Sequence, residues 1–141
     1  MTVTAKTRRA VFDRDGEACV VSTSAWCAVW PCGGALTLQH RQGRGMGGSR
    51  RLDEVWNLIP MCAVHNQLET SDAVFHSVCV SQGWSVPRWS AIPSARFVPV
   101  WIGGWWLLGD VGRSGLNPVE VEARMREVYG DWGREGCPTH W

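Results

Sequence analysis

The pattern of hydrophobic and polar positions predicts short helices and short strands in alternation. Residues 4–13 form a helical pattern that Asp15 and Gly16 end. Residues 17–21 have the composition of a short strand, and Leu36–His40 alternates as a half-buried strand does. The intervening residues 22–34 contain scattered cysteines without a period, so we expect a loop there.

The middle of the chain predicts a loop, a second strand and a helix. Residues 41–51 are too rich in glycine to form a regular element. Residues 53–61 are predicted to pass through a turn or a short strand. Residues from 62 to about 83 place apolar side chains on one face at helical spacing, which predicts a single helix.

The last third predicts a hairpin and a helix. Residues 96–101 and 105–108 are apolar and flank the turn Ile102-Gly103-Gly104, which is typical of a β-hairpin. Residues 118–129 are helical in pattern, with Asn117 as a cap, but acidic residues along them predict a surface helix. Together these elements predict an α+β fold.

Composition limits the classes of protein that the chain can belong to. Its 141 residues, 45% hydrophobic, suit one domain with a small core, with or without a small appendage. Because no apolar run reaches about 18 residues, we predict no membrane span. The polar N-terminus does not resemble a signal peptide, so we expect a cytoplasmic protein.

The distribution of charge says more than the net charge of +1. Residues 1–66 carry 8 Lys and Arg against 5 Asp and Glu, whereas residues 67–141 carry 6 against 8. The positive charge therefore lies in the half that holds the polar motif described next. The chain also has ten tryptophans, seven of them beyond residue 80, which can build a core or stack on bases.

The imidazole of His40 and several carboxamides fall within the 28 residues from 39 to 66. His40 follows Gln39 at the end of the predicted strand, Asn57 lies after the glycine-rich loop, and Asn66 begins the predicted helix. Hydrolysis of a phosphodiester needs a base for water, a cation for the leaving oxygen and positive charge for the backbone. This segment could supply all three.

This arrangement resembles the HNH endonuclease family, and in detail the small HNH proteins of actinobacterial phages. The resemblance covers roughly residues 8–109 and includes the lead-in at residues 9–19, the glycine-rich loop, and Gly83-Trp84. It implies a ββα-metal core with an N-terminal helix in residues 1–95. Residues 96–141 would add the Trp-rich β-hairpin and a C-terminal helix and tail.

The resemblance also implies a role for each matching residue. His40 matches the general base that activates water, and Asn57 matches the asparagine that braces the loop. Gln39 and Asn66 fall at the two positions for ligands of a catalytic Mg²⁺ or Mn²⁺. Gln39 stands where the family usually has Asp or His, and a neutral amide binds Mg²⁺ more weakly than a carboxylate.

A structural zinc is a second implication of the resemblance. Family members with such a zinc have two Cys-x-x-Cys pairs, and the second pair falls at Cys62 and His65. The remaining ligands would be Cys19 with either Cys27 or Cys32, a donor set that tetrahedral Zn²⁺ accepts. Two alternatives remain open: the thiols are free and buried, or His65 assists the catalytic metal.

Four arginines with no acid among them surround the glycine-rich loop, which favours contact with the DNA backbone over solvated charge. They are Arg41, Arg44, Arg50 and Arg51.

The sequence thus predicts a metal-dependent HNH endonuclease that nicks or cleaves DNA in the cytoplasm of a bacterial host. Proteins of phage DNA packaging are predicted partners. One alternative is a catalytically weak DNA-binding or packaging-accessory protein on the same scaffold. A third interpretation is a zinc-stabilised protein-interaction module.

Overall fold

The N-terminal helix α1 (Ala5–Asp15) begins and ends at residues suited to those positions. The hydroxyl of Thr4 accepts a hydrogen bond from the backbone N–H of Thr7 at 3.2 Å. Gly16 follows the last turn with φ of +84°, a conformation that glycine adopts without strain. The computed structural model describes residues 3–43, 53–87 and 94–130. The predicted helix at residues 4–13 is confirmed.

Three further helices and five strands follow α1 in the described residues. In chain order they are β1 (Leu36–His40), β2 (Leu58–Cys62), α2 (Ala63–Ser71), α3 (Ala73–Ser81), β3 (Val100–Trp101), β4 (Trp105–Leu108), β5 (Arg113–Gly115) and α4 (Pro118–Tyr129). The protein is therefore a small mixed α+β fold, as predicted. None of the helices in these ranges combines the length and apolar character that crossing a bilayer requires.

The first sheet is the antiparallel pair β1 and β2. Leu36 lies opposite Cys62 at one end of the ladder, and His40 lies opposite Leu58 at the other. All five residues of β2 are buried, because α1 and α2 both pack against it. A strand covered on both faces is continuously apolar rather than alternating. The sequence pattern of residues 53–61 therefore did not distinguish a turn from a short strand.

The prediction of a single helix from residue 62 to about 83 is wrong. The helix ends before Asp72, and a second helix begins after that residue. This residue is extended, with φ of −125° and ψ of 113°. Its carboxylate accepts a hydrogen bond from the N–H of Phe75 at 2.9 Å and so caps α3. A side chain that caps a new helix competes with continuation of the old one.

The strand predicted at residues 17–21 is also wrong. Val20–Thr23 forms a 3-10 turn in which Val20 and Val21 are buried. The hydroxyl of Ser22 donates to the carbonyl of Cys19 at 2.6 Å, and that of Thr23 donates to Val20 at 2.6 Å. These local bonds satisfy the backbone without a partner strand.

The second sheet has the order β3-β4-β5 and contains the predicted hairpin. Its third strand, β5, was not predicted, because three residues ending in glycine carry no pattern. Tryptophans pack this sheet onto the rest of the chain. The indole of Trp101 donates to the carbonyl of Thr23 at 2.9 Å, and that of fully buried Trp84 donates to Trp101 at 2.8 Å. These two tryptophans are therefore core residues.

Helix α4 begins at a capping box between Asn117 and Glu120, which confirms the predicted start. The helix lies at the surface, as predicted, but it also has a buried face that was not predicted, with Val121, Met125 and Val128. They occupy one face at helical spacing and pack against Val98 and Trp105 in a second hydrophobic cluster.

The first hydrophobic cluster joins residues 1–95 to residues 96–141, the two segments predicted from the sequence. Val21, Ile59 and Phe75 from the first segment pack with Val100 and Leu108 from the second. The second sheet and the β1–β2 hairpin therefore share one core, and substitutions in either can disturb the other.

Candidate functional site

Three cysteines and a histidine converge where the first sheet meets α2. The ligand atoms of Cys19, Cys32, Cys62 and His65 all lie within 4.8 Å of one another. Cys19 comes just before the 3-10 turn, Cys32 precedes β1, Cys62 ends β2, and His65 lies in the first turn of α2. Tetrahedral zinc with Zn–S bonds of about 2.3 Å places its ligand atoms about 3.8 Å apart. The cluster therefore fits a structural metal ion such as Zn²⁺.

The orientation of His65 provides an independent test of that fit. Its Nε2 donates to the carbonyl of Trp30 at 2.7 Å, which leaves the lone pair on Nδ1. Nδ1 lies 3.4 Å from the sulfur of Cys19, 3.8 Å from that of Cys32 and 3.2 Å from that of Cys62. Histidines that bind metals usually donate their second nitrogen to such an acceptor. Stacking on Phe75, at 5.2 Å between ring centroids, holds the ring.

The pKa values of these groups follow from burial and from nearby N–H donors. Burial raises the pKa of the Cys19 thiol to about 12, raises that of Cys32, and lowers the pKa of His65. Burial by itself acts to raise the pKa of the Cys62 thiol too. Hydrogen bonds from backbone N–H groups, including that of Gly33, outweigh burial and hold this pKa below its ordinary value. A neutral histidine beside a thiol that ionises more easily suits capture of a cation, which displaces the remaining protons.

Two sequence predictions are decided by this geometry. Cys32 is the fourth member of the cluster, whereas Cys27 does not belong to it. His65 directs Nδ1 at the thiols, which supports its predicted place in the zinc set over the alternative of a ligand to the catalytic ion.

His40 ends β1 and contacts a carboxylate that was not predicted from the sequence. Its Nε2 lies 2.8 Å from Oδ1 of Asp53, and both side chains are largely buried, at 23% and 17% exposure. A carboxylate that accepts the Nε2 proton fixes the tautomer and the orientation of the ring. Asp53 is 13 residues away from His40 and follows the glycine-rich loop, so sequence spacing carried no signal.

Asn57 lies where the predicted bracing role requires it. Its side-chain oxygen accepts from the N–H of Gln42 at 2.9 Å, and its amide nitrogen donates to the carbonyl of Gln42 at 3.1 Å. The backbone N–H of Arg41 donates to the carbonyl of Asn57 at 2.8 Å. Fully buried Asn57 thus continues the β1–β2 ladder past His40 and holds the start of the loop.

The predicted ligands of a catalytic ion both lie at the first sheet. Gln39 is buried at 5% exposure, and Asn66 lies against β1, where its amide nitrogen donates to the hydroxyl of Thr37 at 2.9 Å. Both residues offer a neutral amide oxygen. A divalent ion there would need phosphate oxygens for charge balance, since hard cations favour carboxylates.

The structure contradicts the predicted DNA contact at Arg41. This side chain is 2% exposed and donates to the carbonyls of Gly83 at 2.7 Å, Ala95 at 2.9 Å and Val98 at 2.7 Å. Burial lowers its pKa to about 9, which leaves it protonated at neutral pH. Arg41 therefore ties the end of β1 to the segments before the second sheet. The predicted DNA contacts Arg44, Arg50 and Arg51 lie outside the described residues.

His40 also lines a cleft of about 200 Å³ beside the first sheet. The cleft is also lined by Glu69 in α2, by His76 in α3, and by Ser85 and Val86. His76 lies in α3, the helix that begins after Asp72.

Comparison with known proteins gave no match: no family model fits the chain, and no curated protein or solved structure is significantly similar to it. The function of the chain is therefore inferred from its residues and their geometry.

Proposed function

We propose that the chain is a metal-dependent endonuclease of the HNH type that hydrolyses phosphodiester bonds in DNA. In this proposal β1, β2 and α2 form the ββα-metal core, and the Cys-His cluster is its structural zinc site. The surroundings of His40 support this proposal. His40 ends β1, contacts Asp53 and lines a cleft. Asn57 braces the residues that follow His40.

His40 acts as the general base in this mechanism. Asp53 lies 2.8 Å from Nε2 and orients the ring, and the imidazole takes a proton from the attacking water. The Asp53 carboxylate then stabilises the imidazolium that forms. Asn57 keeps the turn after β1 in place, so that the imidazole does not move when it becomes charged.

Gln39 and Asn66 would hold a divalent ion against the phosphate through their amide oxygens. When bound, that ion supplies Lewis-acid stabilisation of the charge on phosphorus oxygens and on the leaving 3′ oxygen. The cysteine cluster acts at a distance from this chemistry. It fastens the end of β2 and the start of α2 to the residues before β1, and so keeps Asn66 facing the strand that carries His40.

A plasmid-nicking assay tests this proposal. The wild-type chain should convert supercoiled plasmid to nicked or linear DNA with Mg²⁺ or Mn²⁺, and EDTA should stop the reaction. His40→Ala should lower the rate by about 10² to 10⁴, while its zinc content and circular dichroism stay those of the wild type. Equal cleavage by His40→Ala and the wild type would refute the assignment.

The neutral Gln39 favours a second candidate function, a catalytically weak DNA-binding or packaging-accessory protein. A neutral amide holds a divalent ion less strongly than a carboxylate does. That function predicts a shift of DNA mobility without cleavage, and binding that does not depend on a divalent ion.

A further inference from the structure

A second carboxylate–histidine pair, Glu69 and His76, lines the same cleft as His40. Nδ1 of His76 donates to Oε1 of Glu69 at 2.8 Å, and the hydroxyl of Ser85 donates to the same oxygen at 2.7 Å. The backbone carbonyl of Glu69 lies 3.2 Å from the same His76 nitrogen. These bonds fix the orientation of the imidazole.

The other ring nitrogen of His76 is available for chemistry. Within the described ranges, no side chain or backbone group bonds its Nε2, and 45% of the His76 side chain is exposed. Glu69 has only 13% of its side chain exposed, so its carboxylate serves His76 and Ser85 rather than solvent. The pair thus places the imidazole of His76, with its Nδ1 occupied by Glu69, on a cleft that His40 also lines.

The size of the cleft suits one phosphodiester group. Its volume of about 200 Å³ is below the range of about 300 to 1,000 Å³ typical of pockets for drug-sized ligands. A backbone phosphate could therefore enter the cleft that both histidines line, while its bases remain outside. Both imidazoles would then border the space that holds one phosphorus atom.

We propose that His76 is the general acid that protonates the leaving 3′ oxygen, an inference that rests on the endonuclease function proposed above. Water loses a proton to His40 as its oxygen bonds to phosphorus. The bond from phosphorus to the 3′ oxygen breaks, and that oxygen takes the Nε2 proton of His76. His40 then releases its proton to solvent, and His76 regains one. The neutral ligands Gln39 and Asn66 make such a donor more important, because a weakly held ion stabilises the leaving oxygen less.

The dependence of the rate on the leaving group tests this role. DNA releases an alkoxide that needs a proton, whereas thymidine 5′-(p-nitrophenyl phosphate) releases p-nitrophenolate, which does not. His76→Ala should lower kcat on DNA by about 10²-fold and change kcat on the ester by less than about 3-fold. Glu69→Gln keeps an Oε1 oxygen that can accept from both His76 and Ser85 but removes the charge. It should therefore show the same selectivity between the two substrates, with a smaller loss on DNA. Ser77→Ala, the neighbouring residue on α3, is the matched control and should resemble the wild type on both substrates.

Each result decides between a proton donor and the alternatives. Equal losses on both substrates, or a loss of DNA affinity measured in EDTA, would make His76 a phosphate-binding or structural residue and overturn the proposal. Full activity of His76→Ala on DNA would overturn it as well. His40→Ala should lower the rates on both substrates, so a failure of this inference leaves the endonuclease proposal intact. A wild-type chain inactive on both substrates would overturn both.

Discussion

Replacement of Arg41 by methionine tests whether this arginine supports the scaffold or the DNA. Methionine keeps most of the aliphatic stem but removes every donor. Among the described residues, no backbone N–H donates to the carbonyls of Gly83 and Val98, so both would lose their partner. The carbonyl of Ala95 still accepts from the N–H of Val98 at 3.1 Å.

The expected cost follows from those two carbonyls. Each buried group left unpaired costs about 1 to 3 kcal/mol, which gives about 2 to 6 kcal/mol for Arg41→Met. Domains of this size are typically stable by about 5 to 15 kcal/mol, so the variant should be marginal. Arg41→Lys, which can keep some of the bonds, should fall between it and the wild type.

Equilibrium unfolding in urea measures this cost. Arg96→Met is the matched control, because the exposed ion pair of Arg96 with Asp110 should contribute less than about 1 kcal/mol. A loss below about 1 kcal/mol for Arg41→Met would contradict the reasoning. So would unchanged stability combined with a reduced salt dependence of DNA binding, since that is the behaviour of a phosphate contact.

Three further predictions concern the site. Elemental analysis should find one zinc per chain, and Cys62→Ser should lose the metal and destabilise the fold by about 3 kcal/mol or more, whereas Cys27→Ser should retain both. Asn57→Ala removes the acceptor for the N–H of Gln42 and the donor to its carbonyl, so urea unfolding should show a loss of about 2 to 6 kcal/mol; a loss below about 1 kcal/mol would show that the bracing is weak. Asp53→Asn keeps an acceptor for His40 but removes the charge, so plasmid nicking should slow by about 10- to 100-fold with unchanged zinc content. A rate equal to that of the wild type would exclude Asp53 from the mechanism.

Local sequence determined the elements whose signals are carried by neighbouring residues. Thr4 and Asn117 begin their helices because a cap needs only a side-chain oxygen near the next turn. Leu36–His40 forms the strand that its alternation predicts, although its buried residue is Gln39 rather than one of the two leucines. The sequence also placed Cys19, Cys62 and His65 in one zinc set, but it left the fourth ligand open between two cysteines.

Tertiary structure decided the features that depend on distant partners. Arg41 is buried because carbonyls about 40 to 60 residues away surround it, and no local pattern distinguishes it from an exposed arginine. Asp53 reaches His40, and His76 reaches the cleft, only because the chain folds back after the loop and breaks at Asp72. Hydrogen-bond and electrostatic partners act over a few ångströms whatever their separation in sequence, so packing alone decides which side chains meet.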